Sequence, residues 1–276
     1  MDEARLHPTV EFEVDRHWLW LLIAAGSLLG CEIDSQSPDD AVQEVKIAAA
    51  ADLKFALQEI VAAFHQSQTQ VKVSATHGSS GQLCTQLMQG APFDVFLSAD
   101  RQFPRQLVER DLALADTEFL YAHGHLVLWV TNDSPLDLDQ GLNVLLDPRV
   151  KKIAIANPRF APYGRAAEAA LKNSGVYGIV AERLVLGENI AQTAQFVESG
   201  SADIGILALS LALAPAMSDK GRYWSVPEDL YPTLEQGGVI MKRCEHPQAA
   251  QKFCEFFRGD EGRTILRRYG FVLPQK

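Results

Sequence analysis

Positive charge is in short supply in this chain. Its 25 lysines and arginines face 35 aspartates and glutamates, for a formal net charge of −10. That balance excludes the basic surface that nucleic-acid binding requires. It also means that a bound anion must be held by local donors, because the overall field repels it. Long apolar runs are equally scarce. The one near the N-terminus, Trp18 to Leu29, is too short to span a bilayer comfortably. A nucleophile elbow is missing too: counted from Gly78 through Ser80, the fifth residue is Gln82 where GxSxG needs glycine. His77, Ser79, Ser80, Asp94 and Asp100 therefore do not read as a hydrolase set. His123 and His125 form HGH with no further clustered His or Cys, so they read as surface or packing residues and no metal site is expected.

What is present fits a globular protein, with 47% apolar and 22% charged residues over 276 positions, enough for one large domain or two lobes. The segment HWLWLLIAAGSLLGC (17–31) reads as the core of a signal peptide. It ends in LLGC, which resembles a bacterial lipobox and makes Cys31 the residue expected to be lipidated, with 1–31 as the leader. Residues 32–44 are largely polar and acidic and read as a flexible tether. Cysteine is otherwise sparse. Cys84, Cys244 and Cys254 remain, an odd number that leaves at least one free thiol. Cys84 sits in a helical pattern with Leu83 and Leu87 and reads as buried; Cys244 and Cys254 could pair.

Along the rest of the chain, strand and helix patterns alternate. VKIAAAA (45–51) is a short apolar strand that runs into a helix. In that helix Leu53, Ala56, Leu57, Ile60, Val61 and Phe64 share one face. VKVSAT (71–76) and DVFLSA (94–99) are further strands, each followed by a helix. A second series follows, with strands at LVLWVT, KKIAIA, RLVLG, ADIGILAL and GGVIMKR. This order predicts an α/β fold with a largely parallel sheet, and two such halves imply a ligand cleft between lobes.

Four strand-to-helix junctions share one character: AAAADL, reaching its helix at Asp52; GSSG, near Ser80; NPRFAPYG, near Tyr163; and GENIAQ, at Asn189. None contains lysine. Each offers the free N–H groups of a helix start, with small or hydroxyl side chains nearby. Singly, each is an ordinary capped helix. Together they make a neutral cage of donors plausible, suited to a small desolvated oxyanion.

From about Val45 to its end, the chain resembles the periplasmic molybdate-binding proteins of ABC transporters. The resemblance is carried by AAAADLKFALQEI, GSSGQL, GAPFDVFLSAD, NPRFAPYGRAAEAAL, SADIGILAL and RYGFVLP, and GAPxDxFxSAD (Gly90 to Asp100) is the most specific of them. It implies a type II periplasmic binding protein fold: two α/β lobes joined by crossing strands, closing on molybdate or tungstate. Lobe 1 is expected over 45–124 plus 236–276, and lobe 2 over 125–235. The family's second-loop serine falls on Ser80, which should donate its N–H and its hydroxyl. Backbone donors fall on Tyr163 and Ile190. The first loop departs from the pattern. Where relatives show Ser, or Thr followed by Asn, this chain has Ala51 and Asp52, and the tyrosine that some members place after the later strand is Ala208 here.

A carboxylate at Asp52 would repel a dianion by several kcal/mol in a low-dielectric cleft. Three arrangements relieve this. Asp52 turns away as a helix N-cap with its N–H toward the ligand, which is the one expected; or it is protonated; or the ligand carries the proton, as phosphate does. The resemblance further implies a binding protein rather than an enzyme, with no cofactor and no metal beyond the molybdenum of its ligand. It implies a monomer that serves an ABC permease from the periplasmic or cell-surface side; the LLGC motif adds a lipid anchor at Cys31, the alternative being an ordinary signal peptide cut near Gly26 to Gly30 with Cys31 incidental. The alternatives are a receptor for another oxyanion, such as phosphate or sulfate, or a sensing domain without transport.

Overall fold

The strand Gln43–Ala50 (β1) is polar only where it begins; from Ile47 to Ala50 every residue is buried. Burial on both faces is what an interior strand needs. In the computed structural model, which describes residues 42–275, β1 lies inside a five-stranded sheet. The expected leader, Cys31 and its lipidation, and tether residues 32–41 lie outside the described residues. The strand starts two residues before Val45, so Gln43 and Glu44 pair with Val71 and Lys72 and are not tether.

The first half continues with β2 (Val71–Gly78), β3 (Val95–Ser98) and β4 (Phe119–Gly124). The chain then enters a second sheet through β5 (Leu126–Thr131), β6 (Ile153–Ala156), β7 (Leu184–Gly187), β8 (Ile204–Ala208) and β9 (Gly221–Ser225). It returns through β10 (Leu234–Ile240). The strand orders are β2-β1-β3-β10-β4 and β7-β6-β8-β5-β9. Each lobe thus carries one βαβαβ core whose first strand sits between the other two, and the chain crosses between lobes twice, after Gly124 and before Leu234. The expectation of largely parallel sheets needs correction. β10 runs antiparallel to β3 and β4, and β5 antiparallel to β8 and β9, because strands adjoining the crossings enter each sheet against its direction.

Among the described residues seven α-helices of two turns or more cover the sheets: α1 (Lys54–Ser67), α2 (Ser80–Met88), α3 (Gln102–Glu109), α4 (Pro162–Asn173), α5 (Ile190–Glu198), α6 (Pro247–Arg258) and α7 (Asp260–Arg268). In α1 the residues Ala56, Leu57, Ile60 and Phe64 are buried at helical spacing. Phe64 meets Phe253 of α6 edge-on, with ring centroids 5.3 Å apart. The second lobe packs around Trp129 and the buried strands β5 and β8. Ala50, Ala51 and Ala99 of the first lobe belong to that same cluster, so the lobes touch through small side chains. Cys84 is buried, as its pattern predicts, and burial pushes its thiol up to about 11. Cys244 and Cys254 are both free thiols rather than a disulfide.

Phe253 is fully buried at the junction of α1 and α6. Phe253→Ala should lower the unfolding free energy by about 3–5 kcal/mol, read as an earlier midpoint in urea denaturation at unchanged slope.

Candidate functional site

The C-terminal end of a strand leads, directly or through a short loop, into a helix or helical turn at each of the four junctions, and the structure brings all four to one place. β1 ends in the short turn Ala51–Leu53, β2 runs into α2 at Ser80, and the segment after β6 enters α4 at Pro162. The fourth, after β7, enters α5 at Ile190. Asp52 and Ser80 from the first lobe, and Tyr163 and Ile190 from the second, line a single small cavity of about 10 Å³, on the scale of one water molecule, so this arrangement of the lobes is a tightly closed one. Ser79, Ala99 and Asn189 complete its polar and small-residue lining. No lysine or arginine lines it.

Local sequence explains which donors remain free. Pro162, as the first residue of α4, has no N–H, so Tyr163 supplies that helix's first donor. The Asn189 side chain accepts from Ala191 and Gln192 N–H at 3.0 and 3.1 Å, and this leaves Ile190 N–H. Gln192 reaches back to Glu188 N–H rather than to Asn189, a displaced form of the capping box. Ser80 Oγ accepts from Ala99 N–H at 3.0 Å, so its own proton is available to donate. Ser79 Oγ is buried with no partner.

Asp52 does not turn away as a plain N-cap. It is 1% exposed, and its Oδ2 accepts from Gln236 Nε2 of β10 at 2.7 Å. The same amide donates to the Tyr163 hydroxyl at 3.0 Å, which places that hydroxyl beside the carboxyl. Burial pushes the Asp52 carboxyl up to about 6, against the opposing pull of these hydrogen bonds and of backbone N–H groups in its own turn. Burial and the neighbouring carboxyl raise the Tyr163 hydroxyl well above the usual range. Asp52 Oδ1 and Gln236 Oε1 have no partner. Tyr163, expected only as a backbone donor, thus also sends its side chain across the lobe boundary. Ser210 Oγ, from the second lobe, donates to Asp52 O at 2.8 Å.

Glycine makes the approach of the lobes possible at two points. At Gly124 a methyl group would overlap the Tyr163 hydroxyl and lie 2.6 Å from Gln236 Nε2. At Gly81 it would meet the Phe160 carbonyl oxygen at 2.7 Å, and Gly81 N–H donates to that same oxygen at 3.0 Å. Outside the cavity, Arg165 of α4 pairs with Asp100 at 2.5 Å and lies over the Phe103 ring, 5.5 Å from its centroid. This contact borders an open, charged groove of about 620 Å³ lined by residues of both lobes. The groove is wide and lined by several charged residues, where the inner cavity is narrow and Asp52 is the one acidic or basic side chain in its lining.

The hydrolase combination does not assemble. His77 Nδ1 has no partner, Asp94 accepts from Lys46 N–H, and Asp100 is engaged by Arg165. His123 pairs through its backbone with Val272, and His125 Nδ1 lies 3.1 Å from Glu228. Among the described residues no group of His, Cys, Asp or Glu is placed to hold a metal ion. Gln236, Ser79 and Ser210 were not anticipated as parts of this arrangement. Only Ser79 carried a signal, as the neighbour of Ser80 in GSSG.

Residues 45–272 match the sequence profile described as bacterial extracellular solute-binding protein. The chain is 38% identical to the molybdate-binding protein ModA of Rhodobacter capsulatus, over 84% of this chain and 89% of that one. It is 35% identical to ModA of Azotobacter vinelandii, over 92% and 97%. Among solved structures, the periplasmic molybdate-binding protein of Azotobacter vinelandii superposes with a TM-score of 0.79 at 33% identity, covering 84% of this chain and all of that one.

The folded state holds the Asp52 proton more tightly than the unfolded chain does. Stability should therefore fall as pH rises from 3.8 to about 6, by on the order of 3 kcal/mol from this group. Chemical denaturation of the ligand-free protein across that range, with Asp52→Asn as reference, measures it: the variant should lack this component.

Proposed function

The chain belongs to the bacterial extracellular solute-binding proteins, and on that footing we propose that it captures molybdate, with tungstate as the close alternative, for an ABC importer. The observation that carries this reading is the convergence of uncharged donors from both lobes on one desolvated cavity. A tetrahedral dianion there would be held by Ser80 N–H and Oγ and the N–H of the first loop at Asp52 on one side. On the other side are the N–H groups of Tyr163 and Ile190. Fixed dipoles at helix starts can replace the hydration of such an anion without a counter-charge. Two relatives above one-third identity carry the name molybdate-binding protein, which favours this ligand over sulfate or phosphate.

The mechanism is capture, not chemistry. An anion touching both lobes stabilises the closed arrangement through contacts that separated lobes cannot make. Selectivity over sulfate then rests on cavity size, because both anions are tetrahedral dianions. The protein acts as a monomer that delivers its ligand to a membrane permease, on the outer side of the cytoplasmic membrane, with Cys31 as its lipid anchor. Among the described residues no helix is long and apolar enough to cross a membrane.

Calorimetry of the full chain with molybdate, tungstate, sulfate and phosphate tests the reading. Molybdate and tungstate should bind tightly and sulfate weakly; heat with phosphate alone would overturn it. Ser80→Ala should weaken molybdate binding about 10- to 100-fold, the range of one hydrogen bond to a charged group. Gly81→Ala, whose methyl group presses on Phe160 across the boundary, should weaken it at least about tenfold by opposing closure, with little change in thermal stability of the ligand-free protein.

A further inference from the structure

Resting on the receptor reading above, we propose that Asp52 is a specificity-determining residue that carries a proton when the site is filled. It donates that proton from Oδ1 to an oxygen of the bound dianion, so that capture takes up one proton from solvent.

The geometry assigns the two carboxyl oxygens different work. Oδ2 is occupied by Gln236 Nε2 at 2.7 Å, whereas Oδ1 is buried, unpartnered and part of a residue that lines the cavity. An ionised carboxylate only accepts hydrogen bonds, and so does a fully deprotonated tetrahedral anion. Two acceptors cannot satisfy each other; one proton between them converts the contact into a charge-assisted hydrogen bond.

No lysine or arginine lines the cavity to do this instead, and the ammonium of Lys54 lies over the Phe55 ring. Facing Asp52 are the neutral Gln236 of β10, the Tyr163 hydroxyl of α4 and Tyr121 of β4, whose hydroxyl donates to Ser98 O at 3.1 Å. Ser210 brings another hydroxyl from the second lobe. On α1 and β2 the titratable neighbours are Lys54 and His77. Burial of the His77 imidazole lowers its proton affinity and favours its neutral form. Arg165 of α4 is paired with Asp100, and Glu235 of β10 with Arg101. The Asp52 carboxyl already titrates near 6 in the empty cavity, and an entering dianion raises it further.

Two consequences follow. Below about pH 6 the carboxyl is protonated before the ligand arrives, and affinity is insensitive to pH through this group. Above it, each capture event draws a proton from the buffer, and affinity falls by up to about tenfold per pH unit. Selectivity follows the same logic. A protonated carboxyl favours anions with no proton of their own over monoprotonated phosphate, whose hydroxyl would prefer an ionised Asp52 as acceptor.

The test is calorimetry of the full chain with sodium molybdate from about pH 6 to 8.5, in paired buffers of different ionisation enthalpy, which counts protons through linkage. Wild type should take up close to one proton per molybdate near pH 7.5, with the affinity declining as pH rises. Asp52→Asn should bind without proton uptake and with a flat profile over the same range. Wild-type binding with flat affinity and no uptake overturns the proposal while leaving the receptor reading intact. Uptake that persists in Asp52→Asn places the proton elsewhere and also overturns it. Absence of molybdate binding by wild type at every pH overturns the receptor reading itself.

Discussion

Charge taken out of water must be met by something fixed in the protein, and the space between these lobes meets it with dipoles rather than with ions. Residues of four helix starts line one small cavity, and no lysine or arginine lines it. Each start is positioned by the strand before it, so the sheets act as rulers for the cavity. Desolvation strengthens every dipole aimed inward, and for the same reason it makes the lone carboxyl of Asp52 the most constrained group in the site. Gln236, from the same lobe, donates both to this carboxyl and to the Tyr163 hydroxyl of the second lobe, which ties the state of one side chain to the position of half the molecule.

The double crossing of the chain matters to this arrangement. β4 and β10 lie side by side in the first sheet, and each adjoins a passage to the second lobe. Gln236 sits in β10 close to one passage, and Gly124 ends β4 at the other. The polar bridge at Asp52 is therefore built against the connectors themselves. A change in lobe angle moves Tyr163 relative to Gln236 directly, without an intervening chain of contacts.

Much of this was legible in the sequence because it is local. A buried strand such as IAAA, a glycine or hydroxyl residue and a helix start occur within a dozen residues of one another, and each junction announces its own geometry. The convergence of the four followed from the α/β order. Other features had no local signature. β9 is a half-exposed edge strand with no clear alternation in GRYWS, and β4 reads as an irregular mixture in FLYAHG. Gln236 is 184 residues from Asp52 and lies in EQGGV, where nothing marks an amide as structural. The orientation of Asp52 escaped for a related reason. Cap chemistry describes one helix end in water, whereas this carboxyl is enclosed by a second lobe that the local pattern does not contain.

Gly124 shows how tightly this region is shared. The space that its missing side chain leaves is filled by the tip of Tyr163 and the amide of Gln236. These three positions, scattered over the chain, divide one volume among them. Descendants of this protein cannot alter them independently. A lineage that acquires even a methyl group at 124 must shorten the residue at 163 or rebuild 236, and in doing so it surrenders the aromatic bridge to the carboxyl. The imprint to look for in diverged sequences is mutual exclusion: a bulkier residue at the crossing and a tyrosine at the helix start should not be inherited together.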